Sequence, residues 1–453
     1  MRGSRREKLE ALDAITDFDH LEWQDCSDEW QASFRPAGKG DYFAWPLLSD
    51  LMPWQHSGSQ FKRTWPICSD PKVLEKRWKA LITSTDQAEA LKETRDRKIY
   101  SKPSPLPDID DDVKPIDQLP PDEAAPRIER YSFRSFDRQW IFADTRLGDY
   151  LRPVIWGAHS DRQIYLTSTF SLPLGVGPAL TACSAIPDLH HFSGRGAKDT
   201  VPLYRSADAT EANILPGLLD ILAEKYQQPV GPEDFLAYLY GLLAQPAFTA
   251  RFFSELESHE IRVPITKDLA LFNKVRQIGA RLLWLHTYGE RYVPDGEIEG
   301  HIPPGSARCI QAVPNHPSGY PVSYEFDERT KTLHVGDGEF SPVFPEVFQF
   351  EVSGLKVVQS WLNYRMLKGA GRKSSPLDEI RPDRWTGQST TELLEMLWVL
   401  ESTVNANPER EELLESVVSA ACFEEIELPE VPESMRKPPK VRPQRQMGLT
   451  GSS

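Results

Sequence analysis

Short runs in the middle of the chain, rich in β-branched and aromatic residues, predict β-strands. Three of them, at 138–146, 162–170 and 179–186, are bounded by Pro, Gly and Asp residues. Farther along, the segment 321–338 alternates apolar and polar positions on either side of a polar turn, which predicts a β-hairpin. This part of the chain is therefore expected to form small sheets of short strands.

Longer runs in which apolar residues recur every three or four positions predict helices. Asp70 precedes a proline and suits a helix N-cap, so we expect a helix that begins there and continues into the proline-rich region that follows. A helical block is expected over about 210–290, interrupted at Pro246, and the chain returns to helix at 355–369 and 389–408. The apolar face in the last part of the 210–290 block carries Leu271, Val275, Ile278, Leu282 and Leu285.

Strands followed by helices place the chain in the α+β class, with short-strand sheets and hairpins and a helical subdomain. The segment 101–127 contains seven prolines and seven acidic residues, which leaves too few apolar residues for a packed core. We therefore expect a mobile or extended linker at 101–126. The chain ends in a basic, proline-rich segment, 427–453, that we expect to be disordered.

The composition indicates a folded chain without membrane spans, because 40% of its 453 residues are hydrophobic and no apolar run approaches the roughly 20 residues that cross a bilayer. The N-terminal residues lack the apolar core of a signal peptide, so a cytoplasmic location is expected. The five cysteines are isolated, which argues against a disulfide framework or a structural zinc site. The net charge of −15 argues against general polyanion binding. The segment 363–375 nevertheless holds four basic residues and no acidic one, and such a segment can contact phosphate.

The sequence motifs of common enzymes are missing. The chain contains no P-loop, no G-x-S-x-G nucleophile motif and no H-E-x-x-H zinc motif. His190 and His191 could supply a ligand or a general base, but adjacent side chains of an extended segment point to opposite sides, which favours a structural role. The nearby loop with Arg195 and Lys198 is better suited to a phosphate, because its glycines let backbone N–H groups approach an anion.

The stretch Tyr131–Trp140, with the sequence YSFRSFDRQW, combines four aromatic residues with two arginines and one aspartate. If it is extended, Arg134 can project while the rings hold its stem, and Asp137 can fix a guanidinium through two hydrogen bonds. A rigidly held arginine is what bidentate recognition of a guanine edge needs. The alternative is a structural salt bridge within an aromatic core, which the composition alone favours.

Several blocks together resemble one family, the C-terminal target-recognition (specificity) region of Type ISP restriction-modification enzymes. The block at 131–144 resembles the start of that region, and Arg2–Leu12 resembles the segment after the last strands of the family's adenine methyltransferase domain. Later blocks follow in the family's order at 187–204, 231–252, 262–272 and 350–366. The resemblance covers nearly the whole chain apart from the linker and the tail.

The resemblance implies the specificity end of a longer enzyme that also has nuclease, helicase and methyltransferase domains. The family's N-P-P-Y-type loop, its glycine-rich S-adenosylmethionine turn and its helicase phosphate loop do not occur in this sequence. We therefore expect no catalytic residue and no cofactor here, and we expect S-adenosylmethionine, ATP and Mg²⁺ to serve the missing domains. The implied division is 1–100 for the methyltransferase tail, as a small N-terminal α/β remnant, and a spacer helix, 101–126 for the linker, 127–426 for the specificity domain and 427–453 for the tail.

For function, the resemblance implies recognition of a short duplex DNA sequence in phage defence. The chain would direct adenine methylation and cleavage by partner methyltransferase and helicase–nuclease domains. Phosphate contacts would set the register, and a few base contacts would choose the sequence. Arg134 and Arg138 are expected near bases or holding the recognition surface, and the other candidates are expected at the DNA backbone. The candidate DNA-binding residues are Arg134, Arg138, Arg195, Lys198, Arg365, Lys368, Arg372 and Lys373.

Two other functions remain open at this stage. A protein-interaction scaffold without direct DNA binding is favoured by the net charge of −15 and by 12 tryptophans and 14 tyrosines, since aromatic residues are common at interface hot spots. A metal-dependent nuclease that uses His190 or His191 is a weaker alternative.

Overall fold

The computed structural model describes residues 9–10, 12–17, 40–91, 94, 97–107, 113–170, 172–192, 200–367, 377 and 379–440. The chain divides into two compact units, Met1–Phe43 and Ala44–Ser453. Most of the block that resembles the end of a methyltransferase domain, Arg2–Leu12, lies outside the described residues. The second unit carries the sheets and nearly all of the helices.

The strands of the second unit are short. They are β1 (Ile67–Cys68), β2 (Ile128–Arg134), β3 (Asp137–Phe142), β4 (Tyr165–Thr167), β5 (Thr181–Cys183), β6 (Ile186–Pro187), β7 (Thr200–Pro202), β8 (Ile265–Thr266), β9 (Arg308–Gln311), β10 (Tyr324–Asp327), β11 (Thr332–Val335), β12 (Gly338–Ser341), β13 (Glu351–Val352), β14 (Leu355–Lys356) and β15 (Cys422–Phe423).

The α-helices range from single turns to a helix of 19 residues. They are α1 (Leu48–Leu51), α2 (Pro71–Ile82), α3 (Gln87–Leu91), α4 (Pro153–Gly157), α5 (Leu218–Tyr226), α6 (Pro232–Leu243), α7 (Pro246–Arg251), α8 (Leu269–His286), α9 (Pro345–Phe348), α10 (Val357–Asn363), α11 (Gly387–Asn405), α12 (Asn407–Ser419) and α13 (Glu433–Arg436).

The strands form several small sheets among the helices, which confirms the α+β class. The sheet orders are β1-β3-β2-β6, β10-β11-β12-β9 and β5-β4-β7, with two-stranded sheets β13-β14 and β15-β8. Strand β6 runs parallel to β2, whereas the neighbours within the other sheets run antiparallel. The strands expected at 138–146, 162–170 and 179–186 are present as β3, β4 and β5, although each is shorter than its sequence run.

The expected hairpin within 321–338 is confirmed as β10 and β11, in which Tyr324 pairs with Val335. The Asp327 side chain accepts hydrogen bonds from the backbone N–H groups of Arg329 and Thr330, at 2.9 and 3.2 Å. This aspartate therefore closes the turn by replacing backbone acceptors, as Asp and Asn residues do in turns.

Helix α2 begins where the sequence places it, but it ends earlier than expected. The Asp70 carboxylate accepts a hydrogen bond from the Lys72 backbone N–H at 2.9 Å, and proline occupies the first turn. At the other end, the Ser84 hydroxyl accepts from the Asp86 N–H, and the Asp86 carboxylate accepts from the Glu89 N–H. Because these short polar side chains compete with helical hydrogen bonds, α2 stops at Ile82 and a new helix, α3, starts at Gln87.

Helices α6 and α8 pack closely and form the centre of the helical part. A Cβ atom at Gly279 would lie 1.8 Å from the carbonyl oxygen of Ala237, so this close approach requires glycine. The expected break is confirmed at Pro246, where α7 begins. The expected apolar face of α8 faces the core from Val275 to Leu285, while Leu271 is half-buried.

The segment expected to be a mobile or extended linker at 101–126 packs against the body where the structure describes it, which argues against the mobile alternative. Leu106 and Ile116 are buried in the two main apolar clusters. The backbone of this segment supplies acceptors, since Arg146 donates to the Lys114 carbonyl at 2.7 Å and Trp78 donates to the Glu123 carbonyl at 3.1 Å. A few buried apolar side chains and the carbonyls that accept these hydrogen bonds fix the described part of this proline-rich segment onto the folded surface.

The expected disordered tail at 427–453 also contains ordered residues, because α13 lies within it. Residues 441–453 lie outside the described residues. Within the described part of the chain, no helix combines the length and the apolar character that crossing a membrane requires.

Candidate nucleic-acid interface

The stretch Tyr131–Trp140 folds into the β2–β3 hairpin rather than one extended segment. Ser135 and Phe136 form its turn, in which Phe136 adopts a positive φ of 64°. The carbonyl of Phe136 accepts a hydrogen bond from the Tyr288 hydroxyl at 2.7 Å, which ties the turn to the end of α8. Tyr131 and Phe133 are buried, so these rings belong to the core.

Arg134 is held by a carboxylate and by rings, but its carboxylate is Asp188 rather than Asp137. Its guanidinium donates to Asp188 at 2.8 Å and to the Tyr364 hydroxyl at 3.2 Å. The guanidinium carbon lies 4.0 Å from the centre of the Phe133 ring. Only 15% of the side chain is exposed. Arg134 is therefore a fixed part of the surface and not a freely reaching side chain.

The Asp188 carboxylate is ionised within this arrangement. Burial would raise the pKa of Asp188, but the positive charge of Arg134 and hydrogen bonds from His190 and Tyr131 hold the pKa below its ordinary value. Burial likewise opposes the charge of Arg134, and Asp188 overcomes this effect and raises the arginine pKa. The two side chains form a charged, desolvated pair.

Asp137 does fix a guanidinium through two hydrogen bonds, as the sequence predicts, but the guanidinium is that of Arg365. The two bonds measure 2.8 and 3.2 Å. Arg365 also lies 3.6 Å from the Trp361 ring centre, and it is only 2% exposed. The expectation that Arg365 contacts DNA phosphate is therefore corrected, because a buried guanidinium with these partners has no surface to offer a phosphate.

Two further arginines of the hairpin connect it to helix α11. Arg138 donates to Glu395 at 2.5 Å and lies 3.6 Å from the Tyr288 ring centre. Arg130 donates to Glu392 with both terminal nitrogens, at 3.2 and 3.1 Å. The hairpin and α11 are thus joined by charge-assisted bonds. We call this group the arginine cluster; it comprises Arg130, Arg134, Arg138 and Arg365 with Asp137, Asp188, Glu392 and Glu395.

Three acidic members of the arginine cluster, Asp188, Glu392 and Glu395, were missed by the sequence reasoning, which identified only Asp137. Asp188 is separated from Arg134 by 54 residues, and Glu395 from Arg138 by 257. Glu395 lies within an otherwise apolar run, 393–400, and Glu392 directly precedes this run. An acidic residue at the edge of a buried helix face indicates a partner that is also buried. This pattern does not identify the arginine with which each acidic residue pairs.

The remaining candidates, Arg195, Lys198, Lys368, Arg372 and Lys373, lie outside the described residues. They fall in two segments, 193–199 and 368–376. The described residues before these segments include Asp188 and Tyr364, and both bond to Arg134. Arg134 therefore ties together the stretches of chain that lead into the two basic segments.

The adjacent histidines take part in structural contacts. Burial lowers the pKa of His191 to about 3, and its Nδ1 lies 2.8 Å from the Thr167 hydroxyl. The backbone N–H of His190 donates to Asp188 at 2.8 Å. Among the described residues, no group of three or more His, Cys, Asp or Glu side chains is arranged to hold a metal ion. These contacts give neither histidine the surroundings of a metal ligand.

Comparisons with known proteins agree with this fold. A family model described as the Type ISP C-terminal specificity domain matches residues 50–396, a region that starts well before the expected domain start at residue 127. A comparison with curated proteins gave no match.

Solved structures with a similar fold include a DrdV–DNA complex solved by cryo-electron microscopy, with a TM-score of 0.57 and 15% sequence identity. The similarity covers 91% of this chain and 42% of the DrdV chain. A nuclease-deletion mutant of the Type ISP enzyme LlaGI, in complex with a DNA substrate mimic, has a TM-score of 0.55 and 14% identity, with 91% of this chain and 32% of that chain covered.

The ATP-dependent Type ISP restriction-modification enzyme LlaBIII, bound to DNA, is also similar, with a TM-score of 0.55 and 13% identity over 85% of this chain and 25% of that chain. This chain thus spans less than half the length of each of these proteins. The family model, by contrast, covers more than half of this chain, and the described fold agrees with it. The chain belongs to the family of Type ISP C-terminal specificity domains.

Proposed function

We propose that this chain recognises a specific sequence in duplex DNA, as the specificity part of a Type ISP-like restriction-modification system in phage defence. The observation that carries the proposal is the membership of a specificity-domain family, combined with a fold shared over 91% of the chain with a protein solved on DNA. LlaGI and LlaBIII, which share the fold, were also solved with DNA or a DNA mimic.

The geometry supports different roles for the arginine cluster and for the two basic segments, one structural and one in phosphate contact. The guanidinium groups of Arg134 and Arg138 are bonded to carboxylates within the protein, so these residues hold the recognition surface. The segments 193–199 and 368–376 carry the cationic residues that would neutralise phosphates. A rigid arginine cluster that joins the described stretches leading into these two segments would help to fix the register of the protein on the duplex.

A salt titration with a pool of duplexes of randomised central sequence tests this proposal. If the five basic residues Arg195, Lys198, Lys368, Arg372 and Lys373 each neutralise one phosphate, the logarithm of the affinity should fall against the logarithm of the salt concentration with a slope of about −4.5. The bound fraction should also become enriched in one short sequence. A flat salt response without enrichment would contradict duplex recognition by this chain.

Charge-removing variants assign the contacts to each segment. The double variant R195A/K198A should reduce the magnitude of the slope by about 1.8, and the triple variant K368A/R372A/K373A by about 2.7, because each lost phosphate contact changes it by about 0.9. The variant K76A/K79A removes two exposed lysines from α2 and serves as the matched control. If all three variants keep the salt slope of the wild type, both segments are excluded from the interface.

The catalytic steps belong, in this proposal, to other parts of a longer enzyme. The methyltransferase and the helicase–nuclease domains would use S-adenosylmethionine, ATP and Mg²⁺, in the cytoplasm, while this chain selects the site. Isothermal titration of the chain with S-adenosylmethionine should show no binding. The competing idea of an aromatic docking face for a protein loses its main support, since only Tyr100 and Tyr150 are exposed among the described tryptophans and tyrosines.

A further inference from the structure

An uncharged loop with an exposed apolar tip connects strands β4 and β5. The sequence from Thr167 to Leu180 contains no Asp, Glu, Lys or Arg residue, although the whole chain has a net charge of −15. At its tip, Leu172 is 42% exposed and Val176 is 72% exposed. Residues 172–178, with the sequence LPLGVGP, are called the apolar tip below.

The apolar tip is held by the turn of the β13–β14 hairpin. The Gly175 backbone N–H donates to the Ser353 hydroxyl at 2.8 Å, and the Ser353 backbone N–H donates to the Val176 carbonyl at 2.7 Å. Ser353 and Gly354 both have positive φ values, of 46° and 90°, as the central residues of a type I′ turn require. A tight hairpin therefore presents two hydrogen-bonding groups to the tip from a distant part of the sequence.

A second set of contacts fixes the base of the tip. A Cβ atom at Gly177 would lie 2.0 Å from the carbonyl oxygen of Glu351, and the φ of Gly177 is 108°, so only glycine suits this position. The Thr249 hydroxyl of α7 donates to the Gly177 carbonyl at 2.5 Å. The Ala179 N–H donates to the carbonyl of Leu243, the last residue of α6, at 3.0 Å. These contacts hold the backbone of the tip in one conformation, while the Val176 side chain stays exposed to water.

The loop that carries the apolar tip leaves the three-stranded sheet at the end where described residues on both sides of the segment 193–199 lie. Thr167, at the end of β4, pairs with Thr181 on one side and with Thr200 on the other. Thr200 directly follows the segment 193–199, and His191, just before that segment, contacts the Thr167 hydroxyl at 2.8 Å. The described residues on both sides of the segment 193–199, which contains Arg195 and Lys198, therefore lie beside the base of the tip loop.

We propose that the apolar tip packs its Leu172 and Val176 side chains into a groove of duplex DNA. The inference rests on the proposed function and names a contact of a different chemical kind from the phosphate contacts. Rigidly held apolar side chains of DNA-binding proteins pack against thymine methyl groups or wedge between base steps. The complete lack of acidic residues in this loop removes the repulsion that phosphates would exert on an acidic surface.

Removal of the exposed side chains tests the contact. In the full chain, L172S/V176S should weaken the affinity by about tenfold or more for the duplex sequence that the wild type enriches. The reason is that two apolar side chains lose a buried environment. The salt slope should stay unchanged, since no phosphate contact is lost. I298S is the matched control, because Ile298 is 67% exposed in another loop; it should bind as the wild type does.

A second pair of variants tests the position of the tip without changing its apolar side chains. G177A should displace the tip and weaken the same binding, whereas G296A, at a positive φ of 87° with open space around it, should not. Circular dichroism and thermal unfolding report whether each variant is folded. L172S/V176S supports the inference if it folds and binds more weakly with an unchanged salt slope, even if G177A fails to fold.

The possible failures are distinguishable. If the wild type binds no duplex at low salt, the proposed function fails and this inference fails with it. If the wild type binds and L172S/V176S binds equally well, the proposed function stands and only the inference is overturned. A weaker affinity of L172S/V176S with a smaller salt slope also overturns it, because the variant would then have lost phosphate contacts.

Discussion

Arg365 and Asp137 form an ion pair that is almost completely removed from water, with 3% and 2% of their side chains exposed. Glu392 lies 4.0 Å from the same guanidinium, and the Trp361 carbonyl accepts a further hydrogen bond at 3.1 Å. A pair of this kind contributes little net stability compared with apolar residues, but the loss of one partner leaves a charge buried without compensation.

Asp137→Asn should lower the free energy of unfolding by about 3 kcal/mol, because it leaves the Arg365 guanidinium buried beside a neutral amide. Urea unfolding at neutral pH measures the change. Glu415→Gln serves as the control, since its ion pair with Arg251 is well exposed and should be worth less than about 1 kcal/mol. Similar losses in the two variants would mean that the buried pair has no special role.

Arg410 shows a second way to accommodate a buried guanidinium. It donates to the carbonyl of Ala244, the residue after α6, and to the Asn407 side chain. Burial lowers the pKa of Arg410 to about 10, and Tyr240 partly opposes this effect. Carbonyl groups at the C-terminal end of a helix carry partial negative charge, so they stabilise a cation without a carboxylate.

At the scale of elements, residues 421–440 form a strap across the surface of the second unit. Strand β15 pairs with β8, and Lys267 forms an ion pair with Glu427 at 2.8 Å. Farther along, the Arg205 guanidinium donates to the carbonyls of Met435 and Lys437 at 2.7 and 3.0 Å. The whole strap lies beyond residue 396, where the family match ends.

The strap also reaches the first helix of the unit. Arg436 donates to the Asp50 carboxylate at 2.6 Å and to the Ser49 carbonyl at 3.2 Å. Arg205 has only 5% of its side chain exposed, so loss of the strap would leave two of its N–H groups without acceptors. The strap thus holds helix α1, which lies near the start of the second unit.

A chain that ends after Leu428 should therefore show faster backbone hydrogen exchange in α1 and a free energy of unfolding that is lower by about 1–3 kcal/mol. Hydrogen exchange followed by mass spectrometry locates the change. A chain that ends after Lys440 keeps the strap and should exchange like the full chain. If the two truncated chains behave alike, the strap does not stabilise α1.

For the whole molecule, buried histidines determine how stability depends on pH. Burial lowers the pKa of His191 and His286 to about 3 and that of His159 to about 4. An unfolded chain binds protons at histidine near pH 6.5. As the pH falls below about 6.5, the unfolded state gains protons that the folded state does not, so the free energy of unfolding decreases.

His286→Phe isolates one of these groups, whose ring nitrogens contact the hydroxyls of Tyr240 and Thr403. The variant is expected to be less stable at neutral pH. Between about pH 6.5 and pH 5, however, its free energy of unfolding should decrease less steeply than that of the wild type, and the two slopes should differ by about 1.4 kcal/mol per pH unit. Urea unfolding over this range measures both effects. His301→Phe replaces an exposed histidine as the control, and an unchanged steepness in His286→Phe would contradict the assignment.

The sequence by itself determined the features that depend on neighbours along the chain. The N-cap at Asp70, the break at Pro246 and the turn at Asp327 follow from contacts within a few residues, and each is present in the structure. The α+β class and the family resemblance also follow from such local patterns.

The tertiary structure alone decided which charged side chains meet and which segments pack. Asp137 and Arg365 are 228 residues apart, and Arg134 bonds to Asp188 because the fold brings β2 beside β6. The proline-rich segment after residue 100 is held by side-chain donors from distant elements. The partner of a charge depends on the distances that the complete fold creates, and no spacing along the chain records those distances.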